Sequence, residues 1–337
     1  MTTIALAPKD YGSDQEIRWC PGCGDYAILK AMTRTLADLA VPREQTVFVS
    51  GIGCASRFPY YVSTYGFHTI HGRAPAVATG IKLANPDLDI WVVMGDGDGL
   101  SIGGNHTLHV LRRNVNLQLL LFNNEIYGLT KGQASPTSRR GTRSPSTPRG
   151  SLDAPLVPGA FAIGAGARFF ARAVDVQQPL LVDVLKRAHQ HRGAALVEIF
   201  QNCVVFNDGA FDEFTDRKVA ADMQLPLAHG QPMLFGADRS KGLRLRPGSV
   251  ELEVVTLGEN GISMEDVLVH DQRNRALAAM LVQLAPPEFP VAVGVILDDP
   301  APSFEDVLFG AIAGELAEGP GRLEDLLTGG NTWEVVG

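Results

Sequence analysis

The amino-acid sequence predicts an α/β protein built on a doubly wound, mostly parallel sheet, with a C-terminal arm. Three observations lead there. Short, nearly continuous apolar runs alternate with longer segments of helical periodicity, as expected for strands covered on both faces and joined by crossover helices. The runs end in, or are soon followed by, residues foreign to a strand interior: Gly51-Ile52-Gly53-Cys54, Gly95-Asp96-Gly97, Asn123-Asn124 and Asn202-Cys203. The 337 residues are 45% hydrophobic and 20% charged, which allows a large core and excludes wholesale disorder.

Each element has its own signal. A helix is expected over 24–40, where Ile28, Met32, Leu36 and Leu39 recur every three or four residues and form one apolar face. Strands are expected over 46–50, 90–94, 117–122 and 195–200, with helices over 74–84, 102–112 and 180–191. Open α/β sheets bind ligands beyond the C-terminal ends of their strands, near a topological switch point. Asp96, Asn124, Cys54, Cys203 and the glycines are therefore expected along one rim. Residues 134–150, rich in Ser, Thr, Pro and Gly and carrying Arg139, Arg140, Arg143 and Arg149, read as a long loop, either solvated or in contact with a partner. The pattern weakens after 215. A strand over 250–257 and a helix over 274–284 are expected there, so the chain divides into a domain over 1–215 and an extension or arm over 216–337.

Composition excludes some functions. A formal net charge of −8 argues against nucleic-acid binding. No apolar run reaches membrane-span length, and residues 1–10 lack a leader-like start, so a cytoplasmic protein is expected.

Asp96 between two glycines offers a carboxylate where the backbone approaches a ligand closely. Asn124 offers an amide oxygen at the next strand end, and the Ile126 carbonyl a third oxygen. Mg²⁺ takes a few protein oxygens and completes its octahedron with phosphate and water. Gly99, Gly103 and Gly104 lead into a helix whose N-terminus favours an anion. Gly-Asp-Gly alone is a common turn; with Asn-Asn following at the next strand end it has the pattern of a thiamine diphosphate signature. Cys20-Pro21-Gly22-Cys23 suits a metal, a cluster or a redox pair. With Cys54 and Cys203 it makes four thiols, which fit structural zinc or a 4Fe–4S cluster; spacing does not choose between them.

These segments fall in one order with His71-Gly-Arg73-Ala, Asn123 through Gln133, Ser135-Pro-Thr137 and Gln201-Asn-Cys203. The set resembles the beta subunit of 2-oxoacid:ferredoxin oxidoreductases, its 2-oxoglutarate branch in particular, densely over 17–208 and loosely over 258–271. The resemblance implies a fold of the thiamine diphosphate-binding, diphosphate-domain type. It implies that Cys20, Cys23, Cys54 and Cys203 ligate a 4Fe–4S cluster, and that Asp96, Asn124 and the Ile126 carbonyl bind Mg²⁺. Ile52, Gly53, Cys54, Ala55, His71, Gly72, Gly97, Asp98, Gly128 and Leu129 would line the thiamine diphosphate. Arg57 and Lys131 would meet the substrate carboxylates. Ala55 stands where the family often has Ser, which leaves that contact to the backbone.

The implied activity is coenzyme A-dependent oxidative decarboxylation of 2-oxoglutarate to succinyl-CoA and CO₂, or the reverse, with single electrons passing through the cluster to ferredoxin. The cofactor class also needs a glutamate beside its aminopyrimidine. No second α/β domain is evident to supply it, so an alpha subunit is implied. Alternatives are the same chemistry on pyruvate or another 2-oxoacid, and a zinc-stapled, non-catalytic scaffold subunit. A simple thiamine-dependent lyase would have no use for the cysteines. His106 and His109 are expected to serve helix packing, and His189 and His191 to serve a helix end. Gly164-Ala165-Gly166 follows no strand, so it is no dinucleotide fingerprint.

Overall fold

The computed structural model describes residues 6–330 and 332–337. The expectation about the start of the chain, over 1–10, falls partly on residues 1–5, which lie outside the described ones. In chain order the strands are β1 (Thr46–Ser50), β2 (Tyr65–His68), β3 (Asp89–Gly95), β4 (Leu117–Asn123), β5 (Ile126–Tyr127), β6 (Gln133–Ala134) and β7 (Phe169–Val174). They continue with β8 (Ala194–Phe200), β9 (Gln224–Pro226), β10 (Leu234–Phe235), β11 (Lys241–Leu245), β12 (Leu252–Thr256) and β13 (Val291–Asp298). The helices that cover the sheet are α1 (Asp25–Leu39), α2 (Ala74–Ala84), α3 (Asp96–Leu100), α4 (Gly104–Arg113), α5 (Pro158–Gly164) and α6 (Gln178–Gln190).

The main sheet has the order β2-β1-β3-β4-β8-β7-β13-β9. Its neighbours are parallel except β7 with β13. Alternate side chains feed two cores. Val49, Val92, Leu119 and Leu121 pack beneath α2 and α4; Phe48, Trp91, Leu120 and Val197 pack beneath α1 and α6. Strands buried on both faces need mostly apolar sequence, and that made β1, β3, β4 and β8 visible. The chain leaves β1 toward β2 on one side and leaves β3 toward β4 on the other. The switch point thus falls between the C-terminal ends of β1 and β3.

Several elements differ from expectation. The helix expected over 102–112 is α4, Gly104–Arg113, and a short helix that was not expected, α3, precedes it and begins at Asp96 itself. Thr107 Oγ1 donates to the Gly99 carbonyl at 2.8 Å and ties α4 to α3. The exposed edge strand β2 and the strand β7, broken in pattern by Arg172, were not expected. Beyond 215, the strand expected over 250–257 lies in a separate antiparallel sheet of β10, β11 and β12. The helix expected over 274–284 runs Arg275–Leu281, with the Asn274 side chain accepting from Leu277 N at 3.0 Å. β9 and β13 enter the main sheet, so part of this segment belongs to the same core. The helix Phe304–Ala317 starts on a Ser303 capping box, and its Val307, Ile312 and Leu316 face outward. Among the described residues no helix is long and apolar enough to cross a membrane.

Candidate functional site

The switch point opens into a cavity of about 220 Å³. Ile52, Gly53, Cys54 and Ala55 line it from the end of β1, and Asp96, Gly97 and Asp98 from the end of β3. His71, Asn124, Ile126, Gly128 and Leu129 line it as well, whereas Gly72 of the expected set does not. Gly95, expected beside Asp96, also lines it, as do Ser101, Ile102, Tyr127 and Thr130, which no charge or spacing had marked.

Asp96 is buried, and burial lifts its carboxyl to about 6 against the pull of hydroxyl donors. Ser135 Oγ and Thr137 Oγ1 donate to Asp96 Oδ2 at 2.5 and 2.6 Å. The Ser-Pro-Thr segment, expected to be plain loop, is thus folded under the carboxylate. Its only sequence signal was its place in the family's motif order. A buried carboxylate favours a neighbouring cation, so Asp96 fits Mg²⁺. Asn124 Oδ1 accepts from Ile126 N at 3.1 Å and retains a second lone pair.

Asp98 acts as a clamp. Its Oδ1 accepts from Ile52 N at 3.1 Å and Gly72 N at 2.7 Å, joining the loops after β1 and β2 to the helix α3 that follows β3. Its Oδ2 is buried without a hydrogen-bond partner, and burial raises its carboxyl's pKa. A Cβ on Gly51 would sit 1.9 Å from that oxygen, so only glycine fits. Gly72 stands behind the lining residues, with φ of +65° and no room for a Cβ against Gly103.

A second cavity, of about 450 Å³, adjoins the first. Cys20, Cys23, Cys54 and Cys203 all line it, with Arg57, Lys131, Trp19 and Gln201. Cys54, Asn124, Gly128 and Leu129 line both cavities. A Cβ on Gly128 would lie 3.6 Å from Cys54 Sγ and 3.7 Å from Cys203 Sγ, so these sulfurs flank the shared wall. Burial, then the Asp25 carboxylate and the neighbouring thiols, push the Cys54 thiol up to about 12; burial and Asp25 push Cys23 up as well. Thiolates gathered here need positive charge to offset both effects, which iron or zinc supplies. Zinc would draw all four sulfurs to about 2.3 Å from one point. Among the described residues no three His, Cys, Asp or Glu side chains converge to hold a single ion. A cubane, which takes one sulfur at each of its irons, fits four cysteines spread around a cavity better.

Arg57 sits on the short 3₁₀ segment Ala55–Tyr60, and Lys131 has a φ of +78°, a strained conformation of the kind held at functional loops. Both face the cysteine cavity. Arg139 of the long loop pairs with Glu125 at 3.2 Å and Glu213 at 2.7 Å. His189 stacks on Trp91, and His191 Nδ1 lies 2.8 Å from Asp298 Oδ1, so both are structural. His106 and His109 line neither cavity, and Gly164-Ala165-Gly166 ends the helix α5.

A sheet switch point with Gly-Asp-Gly at one strand end and Asn-Asn-x-Ile at the next defines a class, the diphosphate-binding half of thiamine diphosphate enzymes. The family model of the thiamine pyrophosphate enzyme C-terminal TPP binding domain matches residues 51–199. The chain is 48% identical to the 2-oxoglutarate oxidoreductase subunit KorB of Mycobacterium tuberculosis, covering 97% of this chain and 88% of that one. It is 50% identical to the beta subunit of 2-oxoacid:ferredoxin oxidoreductase 1 of Aeropyrum pernix, over 58% of this chain and 62% of that one. A solved 2-oxoglutarate:ferredoxin oxidoreductase from Magnetococcus marinus, with 2-oxoglutarate, coenzyme A and succinyl-CoA bound, superposes with a TM-score of 0.76. It is 33% identical and covers 97% of this chain and 96% of that one. The chain belongs to the family of 2-oxoacid:ferredoxin oxidoreductase beta subunits.

Proposed function

We propose that this chain is the beta subunit of a cytoplasmic 2-oxoglutarate:ferredoxin oxidoreductase, holding Mg²⁺–thiamine diphosphate and a 4Fe–4S cluster on either side of one wall. The observation that carries this is the sharing of Cys54, Asn124, Gly128 and Leu129 by the two cavities. Asp96, Asn124 and the Ile126 carbonyl would hold Mg²⁺, and Cys20, Cys23, Cys54 and Cys203 the cluster. Thiamine diphosphate, when bound, supplies the electron sink for decarboxylating a 2-oxoacid.

The protein's part is to position, to exclude water and to lead electrons away. Asp98 holds the loops carrying Ile52 and Gly72 in place. Arg57 and Lys131 offer charge-assisted bonds to the two carboxylates of 2-oxoglutarate. Cys54 gives departing electrons a route of one residue's thickness. The glutamate required at the aminopyrimidine would come from an alpha subunit, which completes the site. Coenzyme A takes the succinyl group and ferredoxin the electrons. The outward apolar residues of Phe304–Ala317 are the part of the arm we assign to subunit contact.

Anaerobic co-purification with the alpha subunit, then assay with 2-oxoglutarate, coenzyme A and ferredoxin, tests this. The expected protein is brown, bleaches with dithionite and forms succinyl-CoA. A colourless protein with stoichiometric zinc would overturn the proposal and favour a scaffold subunit. Faster turnover of pyruvate would move the substrate and leave the site.

A further inference from the structure

Gln201 is 1% exposed and lines the cysteine cavity beside the shared-wall residue Asn124, and nothing above gives it a role. Parallel register sets Asn123 beside Phe200, so Asn124 and Gln201 are the next pair along. Gln201 N donates to the Asn123 carbonyl at 2.9 Å and continues the ladder. Asn124 Nδ2 donates to Gln201 Oε1 at 2.8 Å. Gln201 Nε2 donates to Cys23 Sγ at 3.3 Å and to the Asn202 carbonyl at 2.6 Å.

The amide orientations are mutually determined. Asn124 Oδ1 is taken by Ile126 N, so its NH₂ group must face Gln201. Gln201 must then present oxygen to Asn124 and NH₂ to the sulfur. Gln201 packs against the turn after Cys23, where a Cβ on Gly24 would meet Asp175 Oδ2 at 2.0 Å and Gln201 Cγ at 3.0 Å.

We infer that Gln201 is a positioning residue joining the two sites: it holds the Asn124 amide in plane for Mg²⁺ and donates an N–H to the Cys23 sulfur of the cluster. This rests on the proposed function. An N–H···S bond favours the more negative, reduced cluster and so raises its potential. The bond from Asn124 stops its amide from rotating its oxygen off the metal. One buried amide thereby sets both how tightly the diphosphate's metal is held and how readily the cluster takes an electron.

The experiment uses the full chain with its alpha subunit, purified without air. Gln201→Met keeps the side chain's length and removes both hydrogen bonds. Gln201→Glu keeps an acceptor for Asn124. Redox titration followed by electron paramagnetic resonance reads the cluster, and circular dichroism reads the Mg²⁺ needed for half-saturation with thiamine diphosphate. In Q201M the reduced-to-oxidised ratio at fixed potential falls about tenfold, about 59 mV for one electron. Its Mg²⁺ requirement rises about tenfold, as loss of one such bond predicts, whereas Q201E stays within about twofold of wild type. Q201M with full iron content and an unmoved potential overturns the donor role. An unmoved Mg²⁺ requirement in Q201M, or equal losses in Q201M and Q201E, overturns the link to Asn124. A wild-type protein without iron and sulfide overturns the underlying proposal instead.

Discussion

At Asp96, burial and two hydroxyl donors act in opposite directions. Burial wins in the metal-free chain, and the carboxyl rises from 3.8 to about 6. A group whose folded pKa is raised contributes stability that is full below 3.8 and lost as pH climbs through about 6. The metal-free chain therefore loses about 3 kcal/mol across that window from this group. Mg²⁺ with thiamine diphosphate favours the ionised form, so the rise in melting temperature on adding them should grow over the same window. Melting curves from pH 4 to 8, with and without the pair, check this; a gain independent of pH would refute it. Thr137→Val removes one of the two donors to Asp96 Oδ2. A bond to a charged group is worth about 1.5–3 kcal/mol, so Mg²⁺ affinity should fall at least about tenfold. Calorimetry in the presence of thiamine diphosphate measures it, and an unchanged affinity would show that Ser135 suffices. Asp96 could be proposed as a ligand from sequence because Gly-Asp-Gly and Asn-Asn form a local pattern. The roles of Ser135 and Thr137 could not, because their importance lies in a chain reversal that brings them to a residue about forty positions away.

Among elements, the pairing of β7 with β8 carries the clearest energetic consequence. Register places Arg172 beside Glu198, and Arg172 Nε donates to Glu198 Oε2 at 2.8 Å, with both side chains nearly inaccessible. Glu198 Oε1 also accepts from Asn123 Nδ2 at 2.8 Å, which links this ion pair to the cofactor rim. Removing one partner of a buried pair leaves an uncompensated charge, at about 3–5 kcal/mol. Arg172→Met should lower unfolding stability by that amount in urea titrations, and adding Glu198→Gln should return part of it. Equal losses in the single and double variants would show that packing against Phe170 and Phe200 matters more than charge. The same feature explains why β7 was hard to see, since a charged residue inside an apolar run breaks the strand signal. By contrast β1, β3, β4 and β8 keep longer apolar runs, even though β8 carries Glu198, and were found within a residue or so of their ends. β9 and β13 reach the sheet from the far end of the chain, and long-range pairing leaves no mark on local pattern.

For the whole molecule, membership of a family of beta subunits is the functional statement. One diphosphate half and one set of cysteines lie on this chain, and a pyrimidine-binding half does not appear among the described elements. The isolated chain should therefore show no succinyl-CoA formation from 2-oxoglutarate and coenzyme A, while mixing with the alpha subunit should raise the rate from background to full turnover. Spectrophotometric assay of reduced ferredoxin measures both, and turnover by the chain alone would refute the need for a partner. Local chemistry marked the proposed ligands in advance: glycines where backbone would approach a phosphate, a carboxylate and amides suited to a hard cation, and cysteines suited to a soft one. Those choices are dictated residue by residue, so they can be read in order along the chain. Folding decided what they share. Parallel register put Gln201 beside Asn124, and the turn after β4 set Gly128 between Cys54 and Cys203. Such contacts join distant residues through backbone geometry, and no local pattern of side chains encodes them.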